Sequence, residues 1–137
     1  MKTFLYTMFA LSAILQHLPD YAQETAADKI EGIWKGTSLC QVKPSACHDE
    51  DVVYHISKKS ANLYTIQANK IVNGAEEDMG TFDSVVYDET KQTLRFTTKD
   101  QQGRKSVWLF TINGMQMRGT LTINENNLFR IVELKKS

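Results

Sequence analysis

Residues 104–123 (RKSVWLFTINGMQMRGTLTI) contain two β-rich runs joined by Asn113-Gly114. Asn-Gly readily adopts the positive φ angles that a two-residue hairpin turn requires. We therefore predict two neighbouring antiparallel strands, 104–112 and 115–123. In the second strand Met115, Met117, Gly119 and Leu121 alternate with polar residues, which is typical of a strand with one buried face.

The same pattern of short β-rich runs and turn residues extends in both directions along the chain. No stretch after residue 32 has the apolar periodicity of a helix, and clusters such as Asn73-Gly74 and Asp88–Lys91 separate the runs. The predicted strands are 33–41, 51–58, 63–72, 79–87, 92–99, 104–112, 115–123 and 127–135.

The connections between these strands are too short to contain a crossover helix. Consecutive strands must therefore lie side by side and antiparallel, as an up-and-down meander. Closing the first strand against the eighth would remove both exposed edges. The predicted fold is an all-β, eight-stranded antiparallel barrel, with an interior wide enough for side chains or one small ligand.

Length and charge narrow the class of protein. A chain of 137 residues fits one domain. Because 16 Lys and Arg residues balance 16 Asp and Glu residues, the net charge gives no support for binding nucleic acid.

Residues 1–22 are predicted to be a secretory signal peptide. Lys2 precedes the apolar run FLYTMFALSAIL (4–15), which is shorter than a membrane-spanning helix. Cleavage is expected after Ala22, with Ala27 as the alternative. The mature protein then has an N-terminal segment (23–32) and the barrel (33–137). We expect it in the periplasm or outside the cell, with no transmembrane segment.

Cys40 and Cys47 are the two cysteines of the chain. An even number of cysteines in an exported protein favours a disulfide. A thiol pair with a redox or metal role is the alternative, although the spacing is not that of a Cys-x-x-Cys motif.

The first strand opens with Gly32-Ile33-Trp34. A Gly-x-Trp at the start of an eight-stranded meander resembles the lipocalin and calycin superfamily. The resemblance implies that Trp34 closes one end of the barrel and that a basic residue of the last strand packs across it. Arg130 is the first candidate and Lys135 the second. The short chain is most similar to small bacterial lipocalin-like proteins and compact periplasmic barrel inhibitors.

The aromatic residues on the inward face have two interpretations, plain core packing or a pocket for a small apolar ligand. Met117 could adapt its shape to such a ligand. The candidate ligand-binding residues are Tyr54, Tyr64, Phe82, Phe96, Trp108 and Met117.

The sequence gives little support for catalysis, a cofactor or a metal. It contains no Gly-x-Ser-x-Gly, no His-Glu-x-x-His and no phosphate-binding glycine loop. Residues 47–51 (CHDED) have ligand-type side chains, but neighbouring residues rarely converge on one ion, and a solvated loop is the simpler interpretation.

The first functional hypothesis is therefore an exported, non-enzymatic barrel that binds a small hydrophobic molecule in its interior. The alternative is a barrel that inhibits a secreted hydrolase, of protease or lysozyme type. It would act through the loops at the barrel mouth or through segment 23–32.

Overall fold

The computed structural model describes residues 24–43 and 46–137. The predicted signal peptide, residues 1–22, lies outside the described residues. Within the described ranges, no helix is long and apolar enough to span a membrane.

In the described part of the chain, one short helix is followed by eight strands. The helix α1 (Ala26–Ile30) begins with a capping box, in which the Thr25 hydroxyl accepts from the Asp28 backbone and the Asp28 carboxylate accepts from the Thr25 backbone. The strands are β1 (Gly32–Cys40), β2 (Glu50–Ser60), β3 (Leu63–Val72), β4 (Ala75–Asp88), β5 (Thr93–Lys99), β6 (Lys105–Asn113), β7 (Gln116–Ile123) and β8 (Asn127–Lys136).

The strands form a closed antiparallel barrel in chain order, which confirms the predicted fold class. Closure is made by β1 and β8, which pair from Trp34 opposite Lys136 to Cys40 opposite Arg130. The turns and loops after β2, β4 and β6 therefore lie at the Trp34 end. Those after β1, β3, β5 and β7 lie at the Cys40 end.

The interior is filled by the inward-facing side chains of all eight strands. Trp34 and Ser38 are buried in β1, and Phe110 and Ile112 are buried in β6. The largest fully buried side chains are Trp34, Tyr64, Phe110, Ile30, Ile66, Leu94, Val52, Val85 and Val132.

Strand β4 departs from the predicted alternation. Its register against β3 shifts twice, so that Tyr64 lies opposite Val85 while Ile66 lies opposite Phe82. A bulge of this kind reverses which side chains face inward. Val85 is therefore fully buried and Val86 is 44% exposed, whereas simple alternation from Phe82 through Ser84 would turn Val86 inward.

Two further expectations about the chain near the turns are wrong. The predicted fourth strand, 79–87, begins too late, because the hairpin turn is confined to Asn73-Gly74 and Glu76-Glu77-Asp78 belongs to β4. Met115 was predicted to point inward, but it lies in the turn before β7 and is 59% exposed.

Candidate functional site

The Trp34 end of the barrel is closed by helix α1. Ile30 is fully buried there, and its carbonyl accepts a hydrogen bond of 2.8 Å from the Trp34 indole nitrogen. The Lys136 ammonium lies 5.9 Å from the centre of the Trp34 ring and donates to the carbonyls of Asp28 and Lys29. Trp34 therefore closes the barrel as the resemblance implied.

The basic partner of Trp34 is Lys136, so the predicted pairing of Trp34 with Arg130 is wrong. The reason is register: Lys136 is the β8 residue opposite Trp34, whereas Arg130 lies opposite Cys40 at the other end of the barrel. The second candidate, Lys135, lies opposite Lys35. Because it is one residue before Lys136 in β8, its side chain points to the outer face of the barrel, away from Trp34.

At the Cys40 end, Arg130 stabilises the loop that follows β1 through hydrogen bonds and an ionic contact. Its guanidinium donates to the Ser38 carbonyl and hydroxyl and to the His48 carbonyl, and it lies 3.6 Å from a Glu50 carboxylate oxygen. The predicted Cys40–Cys47 disulfide is present, with the two Cα atoms 5.9 Å apart. The loop therefore carries a covalent and an ionic anchor.

The sequence CHDED does not converge on an ion. Asp49 accepts a hydrogen bond from the Cys40 backbone, and Glu50 faces Arg130. Within residues 24–43 and 46–137, no group of three or more His, Cys, Asp or Glu side chains is placed to hold a metal.

Four of the predicted ligand-binding residues belong to one cluster of aromatic rings, and Phe110 connects them. Its ring lies 6.0 Å from that of Tyr54, 6.3 Å from that of Phe96 and 5.9 Å from that of Trp108. Phe82 joins the cluster through Phe96, at 4.4 Å between ring centres. Burial in this apolar cluster raises the pKa of Tyr54 well above its ordinary value, because the charged phenolate is poorly solvated there.

The other two predicted residues lie away from the aromatic cluster. Tyr64 packs edge-on against Tyr87, 6.1 Å away, and burial raises the pKa of Tyr64 above its ordinary value. Met117 lies in the wall opposite Ile112 and Leu134, near the start of β7. Phe110 is not among the predicted ligand-binding residues, although it alternates with Trp108 along β6 and the sequence places it with the inward aromatic residues.

The wall of the barrel is incomplete beside this cluster. Strands β4 and β5 pair only at Val86, Tyr87 and Asp88, near the Trp34 end. Between Val86 and the Cys40 end of the barrel, no residue of β4 is paired with a residue of β5. Phe82 on one side and Phe96 on the other bridge the gap with their rings.

Three cavities lined by described residues lie outside this cluster. They measure about 760, 340 and 300 Å³. The cavities of about 760 and 300 Å³ lie on the outer wall, and the cavity of about 340 Å³ lies between α1 and the turns at the Trp34 end. None of these three cavities is lined by Tyr54, Phe82, Phe96 or Trp108. The space between these side chains is filled by the aromatic rings themselves.

A polar cluster on the outer wall joins three strands. The Glu76 carboxylate accepts from the side-chain nitrogens of His55 and Asn69, both at 2.6 Å. These hydrogen bonds hold the pKa of Glu76 below its ordinary value. The Asn69 side-chain oxygen is buried and has no hydrogen-bond partner among the residues that the structure describes.

Together, the closed meander, the buried Trp34 at one end of the barrel and the apolar interior define a calycin-like β-barrel fold. Among solved structures, the chain is similar to a mutant of the fluorescent protein UnaG, with 14% sequence identity and a TM-score of 0.54. The likeness covers 80% of this chain and 97% of that chain, and it concerns the fold. Neither a protein-family model nor a curated protein matches the sequence.

Proposed function

We propose that this protein is an exported, non-enzymatic barrel that binds a small apolar molecule at the aromatic cluster, with access between β4 and β5. The observation that carries the proposal is the gap in the wall directly beside the cluster of five connected aromatic rings. Export is supported by the apolar segment 4–15 and by the disulfide, which persists in oxidising compartments. Cleavage after Ala22 would keep Thr25 and with it the cap of α1.

Aromatic faces suit a flat, uncharged ligand. Phe96, Trp108 and Phe110 form a nearly parallel series of rings, with interplanar angles of 3° to 15°. A ligand ring inserted against this series would gain contact area and offset stacking. The buried tyrosine, Tyr54, lies beyond Phe110 and offers a polar group at the far side of the cluster.

Phe82 controls the space that such a ligand needs. It is only partly buried, it lies on the strand that borders the gap, and its ring covers Phe96. Rotation of this one side chain toward solvent would vacate the volume of one aromatic ring beside Phe96. The ligand is therefore expected to be about the size of one or two fused rings.

The test is titration of the purified mature protein with 6-propionyl-2-(dimethylamino)naphthalene, an uncharged dye of two fused rings whose fluorescence increases and shifts to the blue in apolar sites. We expect saturable binding that Phe82→Gln weakens about ten-fold, since the polar amide would face the ring cluster. Val86→Gln is the matched control, because Val86 lies on the same strand with its side chain in solvent. Absence of binding to the wild type, or equal loss in both variants, would overturn the proposal.

The second candidate is inhibition of a secreted hydrolase through the Cys40 end. It is favoured by one observation: Arg130 and the disulfide both anchor the loop after β1, as in a preorganised binding loop. Inhibition of lysozyme or trypsin at stoichiometric protein, abolished by Arg130→Met, would support it. Unchanged enzyme rates would count against it.

A further inference from the structure

The outer wall carries a groove that is unrelated to the aromatic cluster. It measures about 760 Å³ and crosses β6, β7, β8 and β1 near the Trp34 end. Among the described residues that line it, none is aromatic. Four polar residues contribute hydroxyl and amide groups to it, namely Thr37, Thr111, Asn113 and Gln116.

Two lysines face each other in this groove. Lys35 of β1 and Lys135 of β8 are direct register partners, and both are exposed. Like charges directly opposite one another destabilise a sheet. The third cation of the groove, Arg118, lies 3.5 Å from Glu133 and is compensated by it. Within residues 24–43 and 46–137, neither lysine takes part in an ion pair.

Glu76 of β4 is an acidic group whose charge interacts with that of Lys35. Its carboxylate already accepts hydrogen bonds from His55 and Asn69. The groove therefore keeps two positive charges beside a set of neutral hydrogen-bonding groups. Four adjacent strands span about 14 Å at the usual strand spacing, which is enough for two or three sugar units.

We propose that this groove binds an anionic saccharide, with Lys35 and Lys135 holding its sulfate or carboxylate groups. Charge-assisted hydrogen bonds from the two ammonium groups would supply the attraction. The threonine hydroxyls and the amides of Asn113 and Gln116 would pair with the sugar hydroxyls. A single-stranded nucleic acid fits less well, because the groove offers its bases no aromatic ring to stack on.

The experiment measures binding of a heparin hexasaccharide to the mature protein by calorimetry at low salt, with maltohexaose as the uncharged counterpart. The test variant is Lys35→Gln with Lys135→Gln. The matched control is Lys99→Gln with Lys105→Gln, because these lysines are also direct cross-strand partners and lie outside the groove. Each double variant removes the same charge from the barrel.

We expect the groove variant to bind the hexasaccharide at least ten-fold more weakly than the wild type, and the control to stay within two-fold. Unfolding should show that the groove variant is at least as stable as the wild type, since it loses a repulsive pair. Equal weakening in both variants would indicate diffuse charge attraction and overturn the proposal. So would wild-type protein that fails to bind the hexasaccharide or binds maltohexaose equally well. The result is independent of the interior site.

Discussion

The Lys136 ammonium lies over the indole ring of Trp34, 5.9 Å from its centre, and joins the last strand to the first. The same ammonium donates to two carbonyls of helix α1, and the indole nitrogen donates to a third, that of Ile30. These contacts satisfy carbonyls at the end of a short helix that has few internal hydrogen bonds. Lys136 therefore couples barrel closure to the helix that seals it.

Replacing Lys136 by Met should lower the free energy of unfolding by about 1–2 kcal/mol, because the cation–π contact and the charged hydrogen bonds are lost while the aliphatic stem remains. Urea denaturation followed by Trp fluorescence measures the change. Lys135→Met is the control, and it should cause no loss because Lys135 faces another lysine. Equal destabilisation by the two substitutions would contradict this role for Lys136.

Arg130→Met should be more costly, at about 2–3 kcal/mol. The guanidinium is mostly buried, and its removal leaves the Ser38 and His48 carbonyls and the Glu50 carboxylate without their cation. Arg118→Met serves as the comparison, since its ion pair with Glu133 is exposed and should contribute less than about 1 kcal/mol. Chemical denaturation of both variants gives the comparison, and similar losses would contradict the anchoring role of Arg130.

Loss of the disulfide should also destabilise the barrel. Chain-entropy reasoning gives about 2–3 kcal/mol for a loop of this length. The double substitution Cys40→Ala, Cys47→Ala should show that difference in urea. Mass spectrometry after alkylation of the unreduced wild type should detect no labelled cysteine, and two labels per chain would show that the bond does not form in solution.

Glu76 should make stability depend on pH in a defined direction. Its pKa is lower in the folded protein, because the side chains of His55 and Asn69 donate to its carboxylate. The folded state therefore releases this proton more readily than the unfolded state. The stabilisation is complete above the ordinary value of 4.5 and is lost as the pH falls through the lower, folded value.

Glu76→Gln should accordingly lower the thermal midpoint at pH 7, and the difference from the wild type should vanish at strongly acidic pH. Glu77→Gln is the control, because Glu77 forms a surface salt bridge with Lys70 of the kind that contributes little. A difference between wild type and Glu76→Gln that is constant from pH 7 to pH 3 would show that the carboxylate charge is not responsible.

The strand order could be predicted from the sequence because each turn has its own chemical signature. Asn73-Gly74 forms the predicted turn of one hairpin, while the turn between β6 and β7 is Gly114-Met115, one residue later than predicted. Short loops permit only neighbouring antiparallel strands. The disulfide was predicted from two cysteines and an apparent signal peptide. Burial of Trp34 was implied by the family resemblance.

The wrong predictions have a common cause, which is the relative register of paired strands. Whether Lys136 or Arg130 reaches Trp34 depends on how far β8 slides along β1, and no local signal sets that distance. The bulges that exchange Val85 for Val86 are likewise set by packing against β3. The gap between β4 and β5 has no sequence signature either, because both strands have ordinary β-rich composition.

Closure itself depends on Gly36. This residue lies in β1 opposite Leu134 of β8, and a Cβ atom placed on it would lie 1.8 Å from the Glu133 carbonyl oxygen. The obstructing atom is backbone, so it can move only if the two closing strands separate. At Gly119 the equivalent Cβ would meet the Phe110 ring at 2.3 Å, and a side chain can shift more easily than a strand.

Gly36→Ala should therefore destabilise the barrel by more than about 3 kcal/mol or prevent folding, whereas Gly119→Ala should cost about 1–3 kcal/mol. Leu39→Ala, at an exposed position of the same strand, should cost less than about 1 kcal/mol. If Gly36→Ala does not fold, hydrogen exchange in Gly119→Ala still tests the idea: the β1–β8 amides should stay protected while those around Phe110 exchange faster. Wild-type stability in Gly36→Ala would mean that β1 and β8 do not approach as closely in solution as closure requires.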